Sequence, residues 1–257
     1  MRTKAILCAA SLAAGALTSM AQVYSQNIVG YVNVAQGASG GYNYLSNPLD
    51  ASPNNAATNV FPNPDPTQDY SGPYDGSQLQ EWTGAGFKVS VFDSVTTDST
   101  TGFTTLGGAQ TACPNLPGGK GFLVLNSSGL TTITFVGQVR TGTSTMVLAA
   151  PAPLVSIGSM IPVSGDLIAN LGFANPDPTQ DYSGPLDGAQ VQMLKVAPNG
   201  AALGYNVYVF DSVTTDTTTG FTTLAGAQVA APQIPLAGGF LMGGLSSPYT
   251  WTQTLNP

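Results

Sequence analysis

The sequence predicts an all-β protein of two tandem related modules, sandwich- or barrel-like, each with one short helix. Three observations carry that expectation. The eleven residues NPDPTQDYSGP stand at 63–73 and again, letter for letter, at 175–185. Apolar residues in both halves recur with period two, the period of a strand with distinct faces. Glycine and proline, 31 and 19 of 257 residues, punctuate these runs at intervals typical of sandwiches and barrels and leave little room for helix.

The chain opens with the positive start Met1-Arg2-Thr3-Lys4, an apolar run from Ala5 to about Leu17 and the small-residue site Ser19-Met20-Ala21. Residues 1–21 therefore read as a secretory signal peptide, with the mature chain beginning at Gln22. Cys8 is preceded by Leu7, where a lipoprotein signal would carry a small residue, and it lies too early to follow a complete apolar core. No later apolar run reaches the roughly 18 residues needed to span a bilayer as a helix. The expected location is outside the cytoplasm: extracellular, at the cell surface or in the periplasm.

Beyond the opening loop, VFDSVTTD at 91–98 returns at 209–216, TTGFTTL at 100–106 at 218–224, and GAQ at 108–110 at 226–228. The offset grows from 112 to 118, which places a six-residue insertion at the turn-rich stretch 197–202, a longer hairpin tip. Val29-Gly30-Tyr31-Val32 echoes Val136-Gly137-Gln138-Val139, so the modules are expected over 22–135 and 136–257. Within FKVSVF, Phe87, Val89 and Val91 share one face and Lys88, Ser90 and Phe92 the other; YNVYVF repeats the pattern with Tyr205, Val207 and Val209. Leu79–Trp82 and the strand from Phe87 form a predicted hairpin about Thr83–Gly86, and GFLVLN and TTITFV a second one about SSG over 121–136. The predicted helices run from Ser52-Pro53 to Asn59 and from Ser164 to Leu171, the first with Ser as N-cap and Pro at the first helical position.

The motif order VGYVNV, DGSQLQEW, GFKVSVFD, LPGGKGF and TITFVGQV resembles an uncharacterised two-repeat, secreted, β-rich protein family of Verrucomicrobiota and related bacteria. Nearly all of the mature chain takes part, although copy two departs at Leu236–Phe240, which lacks the Pro-Gly start, and at Tyr249-Thr250-Trp251. The resemblance implies export and paired β units; it brings no catalytic residue and no cofactor.

Charge and side-chain chemistry restrict the function. Without Arg2 and Lys4, four basic residues stand against thirteen acidic ones, a net charge of −9, so nucleic acid and anionic membranes are poor partners. The chain has no histidine, which removes the commonest general base, every Ser-His or Cys-His nucleophile and the usual zinc ligand. Glu81 is the only glutamate and has no acidic counterpart in copy two. Asp93 and Asp211 follow strands as turn formers, and Gly118–Gly121 precedes a strand where a phosphate loop would precede a helix. The expectation is therefore a non-enzymatic protein. Once Cys8 leaves, Cys113 is alone and aligns with Ala231; it reads as a small buried residue, with an intermolecular disulfide as the alternative.

Three candidate surfaces remain. Asp65, Asp69 and Asp75 recur as Asp177, Asp181 and Asp187, three carboxylates within eleven residues of each copy, an oxygen-rich setting that suits calcium. The same letters also describe a rigid turn whose Asp side chains satisfy local amides. Tyr70, Tyr74, Trp82 and Tyr182 lie beside these acids and supply the aromatic faces on which a glycan would stack. The uncharged segment Gln26–Val34 is β-prone and could take part in self-association by strand addition, the alternative being that it pairs within its own chain. The expected function is a structural or adhesive protein of the cell envelope or extracellular matrix, with a carbohydrate-binding module, calcium-assisted or not, as the alternative.

Overall fold

The structure, a computed structural model, describes residues 28–37, 39–61, 74–93, 102–127, 129–150, 154–173, 184–211 and 220–256. The chain is mostly strand, in two like groups that each combine a five-stranded antiparallel sheet with a two-stranded ribbon. In the first group β2 (Gly41–Ser46), β3 (Gln78–Trp82), β4 (Phe87–Phe92), β5 (Phe103–Thr104) and β6 (Gly121–Asn126) are ordered β2-β6-β3-β4-β5, and β1 (Val29–Ala35) pairs with β7 (Thr132–Gln138). In the second, β9 (Val155–Gly158), β11 (Gln190–Val196), β12 (Ala202–Phe210), β13 (Phe221–Thr222) and β15 (Gly239–Gly243) are ordered β9-β15-β11-β12-β13, and β8 (Gly142–Leu148) pairs with β16 (Tyr249–Leu255). The short strands β10 (Gly165–Asp166) and β14 (Gln233–Ile234) pair beside the second sheet. The position 135/136 falls inside β7, all of whose residues pair with β1, and the strand in β1's place in the second group is β8. The echo of Val29–Val32 in Val136–Val139 is thus not carried into the strand pairing.

Each group closes over four phenylalanines at matched positions: Phe61, Phe92, Phe103 and Phe122 in the first, Phe173, Phe210, Phe221 and Phe240 in the second, all essentially fully buried. Phe61 is the hub of its cluster, with ring centroids 5.8 Å from Phe92, 5.9 Å from Phe122 and 5.4 Å from Phe135 of the ribbon. Phe173 takes the same place beside Phe210 and Phe240, each at 6.2 Å, and Trp251 of the other ribbon at 4.5 Å. The indole N–H of buried Trp251 is satisfied by the Leu171 carbonyl at 2.6 Å. Burying a side chain of this size contributes about 1.5–3 kcal/mol. The core is therefore apolar and aromatic in both halves.

Several predicted elements take a different form. The β3–β4 hairpin forms about Thr83–Gly86, where Thr83 N–H donates to the Gly86 carbonyl at 2.9 Å. The second predicted hairpin does not form: β6 is hydrogen-bonded by β2 on one side and β3 on the other, which leaves no edge for β7, and β7 crosses to the ribbon. Among the described residues the named helical segments are an α-helix at Ala57–Val60 in the first half and a 3-10 turn at Gly184–Leu186 in the second. The first helix starts after Ala56, not at Ser52, and the Ser52–Pro53 peptide is cis. Over Ser164–Leu171 the chain makes β10 and then a turn, because the Asp166 carboxylate accepts the amides of Ile168 (2.8 Å) and Ala169 (3.0 Å).

The two groups dock about a quasi-two-fold axis. Ser46 N–H donates to the Ala237 carbonyl at 2.8 Å, and its counterpart Gly158 N–H to the Gly119 carbonyl at 3.0 Å. Leu45 bridges to Gly238 as Ile157 does to Lys120, and the equivalent residues Tyr44 and Ser156 join hydroxyl to hydroxyl at 2.7 Å. Every one of these contacts has its mate under the 112- and 118-residue offsets, the signature of an isologous interface made within one chain. Close approach requires missing side chains: a Cβ on Gly158 would lie 2.3 Å from Ser46 Cβ, and one on Gly239 2.4 Å from the Leu45 carbonyl oxygen. Tyr44, Leu123 and Leu241 are buried between the groups, flanked by Trp82, Leu194 and Tyr205. The inserted tip between β11 and β12 also reaches across, where Tyr42 N–H donates to the Gly200 carbonyl at 3.0 Å.

Candidate functional site

Four of the six candidate acids, Asp65, Asp69, Asp177 and Asp181, and the tyrosines Tyr70 and Tyr182 lie outside the described residues. Asp75 and Asp187 are both exposed, in the matched turns that enter β3 and β11. Those turns are held by the backbone: Gly76 N–H donates to the Phe92 carbonyl and Gly188 N–H to the Phe210 carbonyl, each at 2.9 Å. Among the described residues, no three His, Cys, Asp or Glu side chains are grouped as a metal would need.

The two described aromatic candidates face inward. Tyr74 is 8% exposed and packs on Phe92 at 5.4 Å and Phe61 at 6.3 Å, and burial pushes its phenol up to about 12. Its counterpart is the buried Leu186. Trp82 lies edge-on to Phe87 at 5.0 Å, and its indole N–H donates to the Leu154 carbonyl of the second group at 2.5 Å. The strand registers align Glu81 with Met193 and Trp82 with Leu194. Cys113 is half-buried against the first core, as Ala231 is against the second.

Among the described residues there are two ion pairs. Lys120 donates to Glu81 and also to the Asn115 carbonyl at 3.0 Å; in copy two Met193 and Gly238 stand in place of both partners. Arg140 grips Asp50 through Nε and Nη2, and also donates to the Leu49 carbonyl at 3.1 Å and, across the interface, to the Met160 carbonyl at 2.7 Å. Burial by itself would raise the Asp50 pKa. The Arg140 and Asn55 hydrogen bonds and the Arg140 charge outweigh it and hold the carboxyl below its ordinary value. Ninety residues separate the partners, so no local pattern announces this clasp.

The ribbons supply the most regular exposed surface. On β8 and β16 the outward row is Thr143, Thr145 and Val147 opposite Thr254, Thr252 and Thr250. On β1 the outward residues are Val29, Tyr31, Asn33 and Ala35, and none of the residues paired to them on β7 is charged. Tyr31 is 70% exposed and Val147 68%. Among the described residues β1 pairs only with β7, and β8 only with β16, so each has an edge without a strand partner. The segment expected either to pair at home or to add to a neighbour is paired at home over Val29–Ala35. The threonine row was legible as a period-two pattern; its pairing into one face was not.

No protein-family model, curated protein or solved structure matches this chain.

Proposed function

We propose that this chain is an exported, non-enzymatic structural or adhesive protein of the cell envelope or extracellular matrix, with the two ribbons as its contact surfaces. The observation that carries the reading is the pair of uncharged outward faces beside strand edges that lack a partner among the described residues. An edge strand presents a row of main-chain donors and acceptors, and proteins that stay apart usually guard it with charge, above all lysine. No Lys, Arg, Asp or Glu occurs in β1, β7, β8 or β16, in a chain that carries nineteen such residues elsewhere. Strand addition from a second copy would use those groups, with the neutral threonine and tyrosine rows setting the register. Export is supported by the sequence of residues 1–21.

The test is the assembly state of the chain from Gln22 onward, by light scattering and electron microscopy. Oligomers or filaments are expected, and they should be lost in Tyr31→Lys with Thr252→Lys, two exposed changes that leave the cores alone. A wild type that stays monomeric at high concentration would overturn the proposal.

A further inference from the structure

The second group has a surface cleft of about 540 Å3 that lies away from the ribbons, between β12 and the turn that follows β13. Tyr205, Asn206, Tyr208, Thr223, Leu224 and Val229 are among its lining, and among the described residues no charged one lines it. The cleft exists because β13 covers only Val209 and Phe210, so Tyr205–Tyr208 pair with β11 on one side and face the opening on the other. Thr223 Oγ accepts the amides of Ala225 (3.3 Å) and Ala227 (3.2 Å), which fixes the turn and leaves the hydroxyl hydrogen to donate outward. Leu224, 67% exposed, forms an outer wall.

We infer that this cleft binds a neutral saccharide chain. The Tyr208 ring offers a face to sugar C–H groups, and the Asn206 amide, the Thr223 and Tyr208 hydroxyls and the open main chain of β12 offer neutral donors and acceptors to sugar hydroxyls. None of the described lining residues would compensate a charged ligand. The volume lies within the 300–1,000 Å3 or so usual for small-ligand sites. Copy one lacks this chemistry. By the shared strand register its counterparts of Asn206 and Tyr208 are Lys88 and Ser90, a charge and a buried hydroxyl, while Thr105 and Leu106 match Thr223 and Leu224. The site therefore belongs to the second half.

The experiment is an amide-shift titration of the 22–257 chain with cellohexaose, maltohexaose and chitohexaose. Saturable shifts at Tyr205–Tyr208 and Thr223–Ala225 with at least one of them are expected. Tyr208→Ala should weaken binding roughly tenfold or more, Tyr208→Phe should retain most of it, and Lys88→Ala should change nothing. Should Tyr208→Ala not fold, the exposed Asn206→Ala tests the same site and should weaken binding several-fold. Absence of shifts with all three sugars, or shifts that survive both alanine variants, overturns the inference. So does a response of the same amides only to an extended peptide, for which NIVGYVNV of this chain is the probe. None of these variants touches the ribbons, so their outcome is independent of the assembly test.

Discussion

At the scale of single residues, the informative side chains are the few charged ones. Asp50 and Arg140 tie the first sheet group to Met160 of the second, and Arg140 is mostly buried while Asp50 is about half exposed. Since the folded pKa of Asp50 is depressed, its contribution to stability is complete above the unfolded value near 4 and is lost as pH falls through the folded value. Urea midpoints of the wild type should therefore fall more steeply below about pH 4 than those of Asp50→Asn, which starts lower at neutral pH and has a flatter acid limb. Parallel acid limbs would show that the carboxylate does not matter. Arg140→Met should cost about 2 kcal/mol at neutral pH, because two carbonyls and a carboxylate lose a charged donor. Neither partner could be paired from sequence. Asp50 precedes a turn and Arg140 follows a strand, and only folding makes them neighbours.

At the scale of elements, strand periodicity was readable and its polarity was not. FKVSVF has two faces by its alternation, but the core receives Ser90 and Phe92, while Phe87, Val89 and Val91 are only half-buried. Period two says that the faces differ; which one meets the ribbon depends on what packs there. The repeated phenylalanines decide it, since Phe61 and Phe173 arrive from outside the sheets as hubs. Phe61→Ala and Phe173→Ala should each cost about 3–5 kcal/mol by chemical denaturation, and by similar amounts because the surroundings match. A loss below about 1 kcal/mol for either would contradict the hub role. The predicted hairpin at 121–136 failed for a related reason. GFLVLN is apolar on both faces, which marks a strand covered on both faces, and since β2 and β3 occupy its two edges it cannot also lend an edge to its successor.

For the whole molecule the decisive feature is the quasi-two-fold docking. Glycines at 121, 158 and 239 let the backbones of the two groups meet, and Tyr44 meets Ser156 beside them, where burial drives the Tyr44 phenol well above its ordinary range and the Ser156 hydrogen bond offsets only part of that. Gly158→Val should push Ser46 away and undock the groups while each aromatic core persists. Calorimetry is expected to show two transitions, or one markedly lowered, with an unchanged far-ultraviolet spectrum; a single transition at the wild-type temperature would refute the docking geometry. By itself the sequence determined that the chain is a duplicated β protein with an insertion at one hairpin tip, because repetition and alternation are properties of neighbouring letters. The interior face of each sheet, the partner of each edge, the clasp at Arg140 and the fit of one copy against the other came only with the tertiary structure. Those depend on contacts between residues far apart in the chain, from Arg140 with Met160, 20 positions apart, to Ser46 with Gly238, 192 apart, and such contacts leave no local trace in a chain whose hydrophobic pattern is satisfied by more than one arrangement.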